Sequence, residues 1–170
     1  MVMRHINYIQ LGMTATNMKY LKRFNESFIE DDPEPIDMPE DAYLYTEPSQ
    51  IENAGMGLFT AVDINKGEII ATFHGEVLTD EEAEERVESG DDQYFMELPS
   101  GEILDCKFTD GFAKYANDAE GVPTNFKNNS YIGIDDDDNV VLIAKRNIKA
   151  DEEIFTGYGK AYWKKHASGL

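Results

Sequence analysis

A mostly β domain with a few short helices is what this chain of 170 residues predicts. Short runs rich in β-branched and aromatic residues recur along it, each bounded by Gly, Asp or Asn: AYLYTE, MGLFTA, GEIIATFHG, QYFMEL, EILDCKF, SYIGID and NVVLIAKRNI. Only two helical patterns interrupt these runs, and no internal repeat is visible. The length suits one domain with a short appendage, enough to bury a real core.

Taken in order, residues 14–30 place Met18, Leu21, Phe24 and Phe28 at helical spacing. The acidic, proline-rich stretch 30–41 (EDDPEPIDMPED) reads as a linker or surface loop, so 1–40 is expected to be an N-terminal extension and 41–170 the domain proper. Residues 79–89 (TDEEAEERVES) predict a helix, with Thr79 as N-cap and Glu82 completing a capping box. GKAYWKKHA predicts a closing helix whose lysines suit its C-terminal end. Asp135 to Asp138 separate two strand-like runs and lack the pattern of a calcium loop, so they predict a hairpin turn.

Charge narrows the function. Fifteen basic residues against thirty-four acidic ones give a formal net charge of −19. Such a surface repels nucleic acid and anionic membranes and attracts basic partners. Cys106 is the sole cysteine, and His5, His74 and His166 are scattered, so no disulfide and no metal site are expected. Neither a membrane span nor a secretory signal is visible, and the expected setting is intracellular, cytoplasm or nucleus.

Gly55-Met56-Gly57 runs into a strand-like segment rather than a helix, and no Lys-Ser/Thr follows, which excludes both common phosphate loops. A glycine turn between strands is one reading; a backbone grip on a ligand is the other. Downstream come KGEIIATFHGEVLTDEEAEERV, then YFMELPSGEILDCKFTDGFAKYAND, then VVLIAKRNIKADEEIFTGYGKAYW. In that order and spacing, over about residues 43–163, the chain resembles the SET-domain protein-lysine methyltransferases.

The resemblance implies a β-clip-like fold of several small sheets with a C-terminal pseudoknot that brings Asn117 beside Tyr158. It implies an enzyme that carries a methyl group from S-adenosylmethionine to the ε-amine of a lysine in a basic protein segment, such as a histone-like tail. Tyr158 stands at the catalytic tyrosine. Cofactor-binding positions by the same resemblance are Gly55, Met56, Gly57, Tyr94, Asn117, Asp118 and Trp163; those of the substrate channel are Phe73, His74, Phe155 and Thr156. The chain departs from the family pattern in having Asp118 where Asn-His is usual, Lys114-Tyr115 for Arg-Phe, Phe73 for a tyrosine, and Thr156 at a position usually aromatic. Without cysteine-rich flanks, the channel needs closure by the C-terminal helix with Trp163 or by a partner chain. The alternative is a catalytically weak SET-like module that binds cofactor or peptide. Residues 1–40 lie outside the resemblance, with capping, homodimerisation or substrate recruitment open to them.

Overall fold

The computed structural model describes residues 33–166. The helical pattern expected over 14–30 lies outside them. Nine short strands form three antiparallel three-stranded sheets. The first contains β1 (Leu44–Pro48), β2 (Met56–Thr60) and β9 (Glu153–Ile154), with β2 in the middle. The second contains β3 (Ile69–Thr72), β8 (Val140–Ala144) and β7 (Ser130–Ile134), with β8 in the middle. The third contains β4 (Glu76–Leu78), β6 (Ile103–Asp105) and β5 (Phe95–Glu97), with β6 in the middle.

Burial follows that arrangement. β8, β6 and the two-residue β9 are buried along their whole length, and β2 from Gly57 onward, whereas the other flanking strands are only partly covered. Leu58, Ile70, Leu142, Ile148 and Ile154 join in the main core, to which Met96 and Leu104 of the third sheet also belong. Helix α2 (Asp80–Ser89) closes the third sheet, setting Ala83 and Val87 on Leu78, Phe95 and Ile103. Thr79 and Glu82 form the expected capping box, and Gly90 ends the helix at φ 78°, a left-handed conformation that glycine adopts without strain. The aspartate run makes the β7–β8 hairpin turn: Asp135 Oδ1 accepts from the amides of Asp137 (3.0 Å) and Asn139 (2.8 Å).

The proline-rich stretch, irregular and mostly exposed, is held against the domain at several points. Pro35 bridges to Ile69 in parallel fashion, the Ile69 amide donates to the Glu34 carbonyl (2.8 Å), and the Thr72 amide donates to Glu40 Oε1 (2.7 Å). Residues 34–40 therefore run along the free edge of β3 and lead into helix α1 (Glu40–Tyr43). Proline suits an edge because it offers no N–H to a further strand. Strands β4 and β9 also escaped the sequence reading, being three and two residues long.

The C-terminal part of the sheet system is stitched to two distant loops. Phe155 makes a parallel bridge to Asn117, and the Thr156 amide donates to the Asn117 carbonyl (2.9 Å). Asn129, fully buried, donates from Nδ2 to the Glu153 carbonyl (2.8 Å) and accepts at Oδ1 from the Phe155 amide (2.8 Å). Replacing Asn129 by Ala leaves both buried backbone groups without a partner. The expected loss is roughly 2–5 kcal/mol of folding stability, checked by urea unfolding against wild type.

Candidate active site

Three segments converge on one cavity of about 1120 Å³. The first is the loop before β2. Its turn uses left-handed backbone at Asn53 (φ 64°) and Gly55 (φ 78°), and the Ser49 amide donates to the Gly55 carbonyl (2.8 Å). The buried Glu153 carboxylate anchors the loop's start, accepting from Ser49 Oγ (2.6 Å) and the Gln50 amide (2.7 Å). A Cβ at Gly57 would collide with that same carboxylate. Gly57 is thus a glycine to make room for Glu153, and the residues of this loop that line the cavity are Gln50 to Met56.

The second segment follows the 3-10 turn Ala113–Tyr115 and presents Ala116, Asn117 and Asp118. Asn117 Nδ2 donates to the Met56 carbonyl (3.0 Å), tying this segment to the glycine loop. The third runs from Thr156 into helix α3 (Gly159–His166), carrying Tyr158, Tyr162 and Trp163. The Tyr158 hydroxyl donates to the Ala116 carbonyl (3.0 Å) and its amide donates to Asp118 Oδ2 (2.8 Å). Asn117 and Tyr158, forty-one positions apart by numbering (158 − 117), therefore share one hydrogen-bonded frame.

Burial keeps the phenol of this frame protonated at neutral pH. Part of the Tyr158 residue reaches the surface, but its hydroxyl end points inward. Burial there, reinforced by Tyr162, the Asp118 carboxylate and Tyr94, raises its pKa well above the ordinary 10.0. Tyr162 is raised mainly by burial as well. Cys106 lines the cavity but burial, helped by Asp105, pushes its thiol up to about 12, which makes it a poor nucleophile.

Of the residues expected at the cofactor, Gly55, Met56, Tyr94, Asn117, Asp118 and Trp163 line the cavity, and Gly57 lies beneath the loop. Of those expected in the channel, Phe73 and Thr156 line it. His74 and Phe155 do not. His74 is exposed, its carbonyl held by Thr109 Oγ1 (2.6 Å), and Phe155 is buried against Ile51 and Ala119 with Phe126 stacked on it. β-strand geometry accounts for Phe155: neighbouring side chains point to opposite faces, so a lining Thr156 turns Phe155 away. The sequence reading missed Glu153, Asn128 and Gly121. Glu153 is the last of three consecutive acids, and nothing local sets it apart, since its partners lie about a hundred positions away.

The volume exceeds the roughly 300–1,000 Å³ of an ordinary small-molecule site, leaving room for a second occupant. Thr156 Oγ1 is buried on the cavity wall with no hydrogen-bond partner. Among the described residues no group of three His, Cys, Asp or Glu could hold a metal ion.

Three small sheets, a glycine loop and a late tyrosine meeting at one cleft define a SET-type domain. The chain belongs to the SET-domain family, whose model matches residues 55–159. Among 246 matching chains of known structure, one comes from ctPRC2 in an autoinhibited conformation bound to S-adenosylmethionine. It is 28% identical with a TM-score of 0.56, over 74% of this chain. The present chain spans 16% of the length of that one. No curated protein matches the sequence.

Raised tyrosine pKa values set an alkaline limit. In the unfolded chain tyrosines ionise near the ordinary 10.0, whereas Tyr158, Tyr162, Tyr43 and Tyr131 resist ionisation when folded. Above that pH the unfolded state binds fewer protons, so their stabilising contribution is complete below it and is lost as the pH rises. Urea midpoints should begin to fall near about pH 10 and keep falling to about pH 12, with part of the phenolate absorbance appearing only on unfolding.

Proposed function

We propose that this chain is an S-adenosylmethionine-dependent protein-lysine N-methyltransferase acting on a basic protein segment. One observation carries the reading: Asn117 ties the glycine loop to the segment after β9 that carries Tyr158, so a cofactor grip and a phenol face one cavity. Family membership and the likeness to an S-adenosylmethionine-bound structure support it.

Bound S-adenosylmethionine supplies an electrophilic methyl group on a positive sulfur. The residues to hold it are Gly55 and Met56 through backbone groups and Asn117 through its side-chain amide, with Tyr94 and Trp163 as aromatic walls. A lysine amine reacts only when neutral, and its ordinary pKa is about 10.4. Phe73, Tyr94, Tyr158 and Tyr162 line the cavity, and this aromatic surface desolvates the ammonium and lowers its pKa. Tyr158 stays protonated, donates to Ala116 and keeps its oxygen lone pairs for orienting the amine. Asp118 is unsuited as a base, since five donors already occupy its two oxygens. The amine proton leaves to water, and the chain contributes mainly alignment.

The net charge of −19 favours cationic substrates over nucleic acid. An intracellular setting and a separate role for residues 1–40, homodimerisation among them, belong to the same proposal. No helix among the described residues is long and apolar enough to cross a membrane.

The test is transfer of labelled methyl to a panel of basic peptides. Tyr158→Phe should lower the rate by roughly 10²-fold or more with little change in cofactor affinity. If no label moves while S-adenosylhomocysteine still raises the melting temperature, the domain is a binding module instead. Transfer to a cationic peptide should also weaken steadily between about 0.05 and 0.5 M salt, because attraction between exposed charges is screened. A flat salt response removes the acidic surface as a substrate guide.

A further inference from the structure

Asp118 and helix α3 meet in a contact that methyl transfer alone does not demand. Asp118 is only 6% exposed, and its two oxygens do different jobs. Oδ1 accepts from the amides of Glu120 (2.9 Å) and Gly121 (3.1 Å) and from Asn128 Nδ2 (2.9 Å), which shapes the loop after Asn117. Oδ2 accepts from the Tyr158 amide (2.8 Å) and from the indole Nε1–H of Trp163 (2.8 Å). One oxygen therefore positions the tyrosine's backbone and grips α3 together.

Gly121 completes the contact. A Cβ there would fall within the Trp163 indole, so the ring lies directly on the glycine backbone. From that seat Trp163 stacks on Tyr158, with centroids 6.1 Å apart and planes at 16°, and meets Tyr162 edge-on at 5.3 Å. All three rings line the cavity. Gly159, with φ 83°, opens α3 directly after Tyr158 in a left-handed conformation that glycine adopts without strain.

We propose that Asp118 is a positioning residue whose Oδ2 latches α3 across the cavity, so that Trp163 closes the site from within the same chain. The inference rests on the methyl-transfer reading and gives that site a wall that needs no partner chain. It also explains the aspartate. Neutral histidine accepts at a single nitrogen and asparagine at a single oxygen, whereas a carboxylate serves both sets of donors. In Asp118→Asn the oxygen can serve the three-donor side, but the amide N–H₂ then faces the Tyr158 and Trp163 N–H groups and the latch opens.

Trp163 is the only tryptophan, so its emission reports the latch without ligand. In the full-length protein, Asp118→Asn and, independently, Gly121→Ala should shift the emission to the red and raise acrylamide quenching, with the far-UV circular dichroism unchanged. Gly121→Ala leaves the carboxylate intact and acts by steric displacement alone, so it decides the matter if Asp118→Asn does not fold. S-adenosylhomocysteine affinity should fall about tenfold or more in Asp118→Asn and in Trp163→Phe. The double variant should fall no further than either single one. Wild-type emission and quenching in folded Gly121→Ala, or additive losses in the double variant, would overturn the latch. If wild type binds no S-adenosylhomocysteine, the methyl-transfer reading fails, while the fluorescence result still decides whether α3 is latched.

Discussion

Four residues, Glu153 to Thr156, hold this molecule's site together because each of their neighbours comes from a different part of the chain. Ile154 pairs with Leu58 of β2, and Phe155 bridges to Asn117. The Phe155 carbonyl accepts from the amides of Asn129 (3.1 Å) and Ser130 (2.9 Å) and from Ser130 Oγ (2.9 Å). The Glu153 carboxylate reaches under the glycine loop. Buried backbone groups must find partners, and here no regular sheet is long enough to provide them. Side chains of Asn129 and Ser130 fill the gaps, and that forced arrangement makes the glycine loop, Asn117 and Tyr158 neighbours.

This dependence explains why so many polar residues near the site are buried yet do no chemistry. Glu153, Asn129 and Asp118 each spend their hydrogen-bonding capacity on backbone or on one another's segments. Glu153 and Asp118 carry charge into the interior only with several donors around them, as burial of a carboxylate requires. The side chains left to line the cavity are consequently mostly aromatic, with the Tyr158 and Tyr162 hydroxyls both raised in pKa. Such a wall suits a reaction governed by alignment and desolvation better than one driven by a strong acid or base.

How much of this the sequence disclosed depended on the range of the interaction. The capping box of α2 and the aspartate turn are made by residues two to four positions apart, and both were legible. The glycine pair, Asn117 and Tyr158 were legible through the order of motifs, since nothing local to any of them says that they meet. Glu153, Asn128 and Gly121 were not. Their roles exist only against partners from other segments, and an acid or glycine at those positions has no local signature. The contacts of the run 34–40 were hidden for a related reason: proline and acid mark the absence of regular structure, yet a chain can lie in place along a strand with two hydrogen bonds and a bridge.

The same logic separates the two glycines with which the site begins. Gly55 takes a left-handed turn with nothing within 4 Å of a would-be Cβ, so its requirement is conformational. Gly57 sits in a strand in ordinary conformation, and its requirement is space for Glu153. A repeated Gly-x-Gly thus combines two unrelated demands, one from the loop's bend and one from the carboxylate that supports the bend. Gly55 and Met56, the latter accepting from Asn117 through its carbonyl, line the cavity, whereas Gly57 does not. The motif marks a place where a buried acid, a tight turn and an open backbone must coincide, and that coincidence, rather than glycine's flexibility alone, makes the loop a grip.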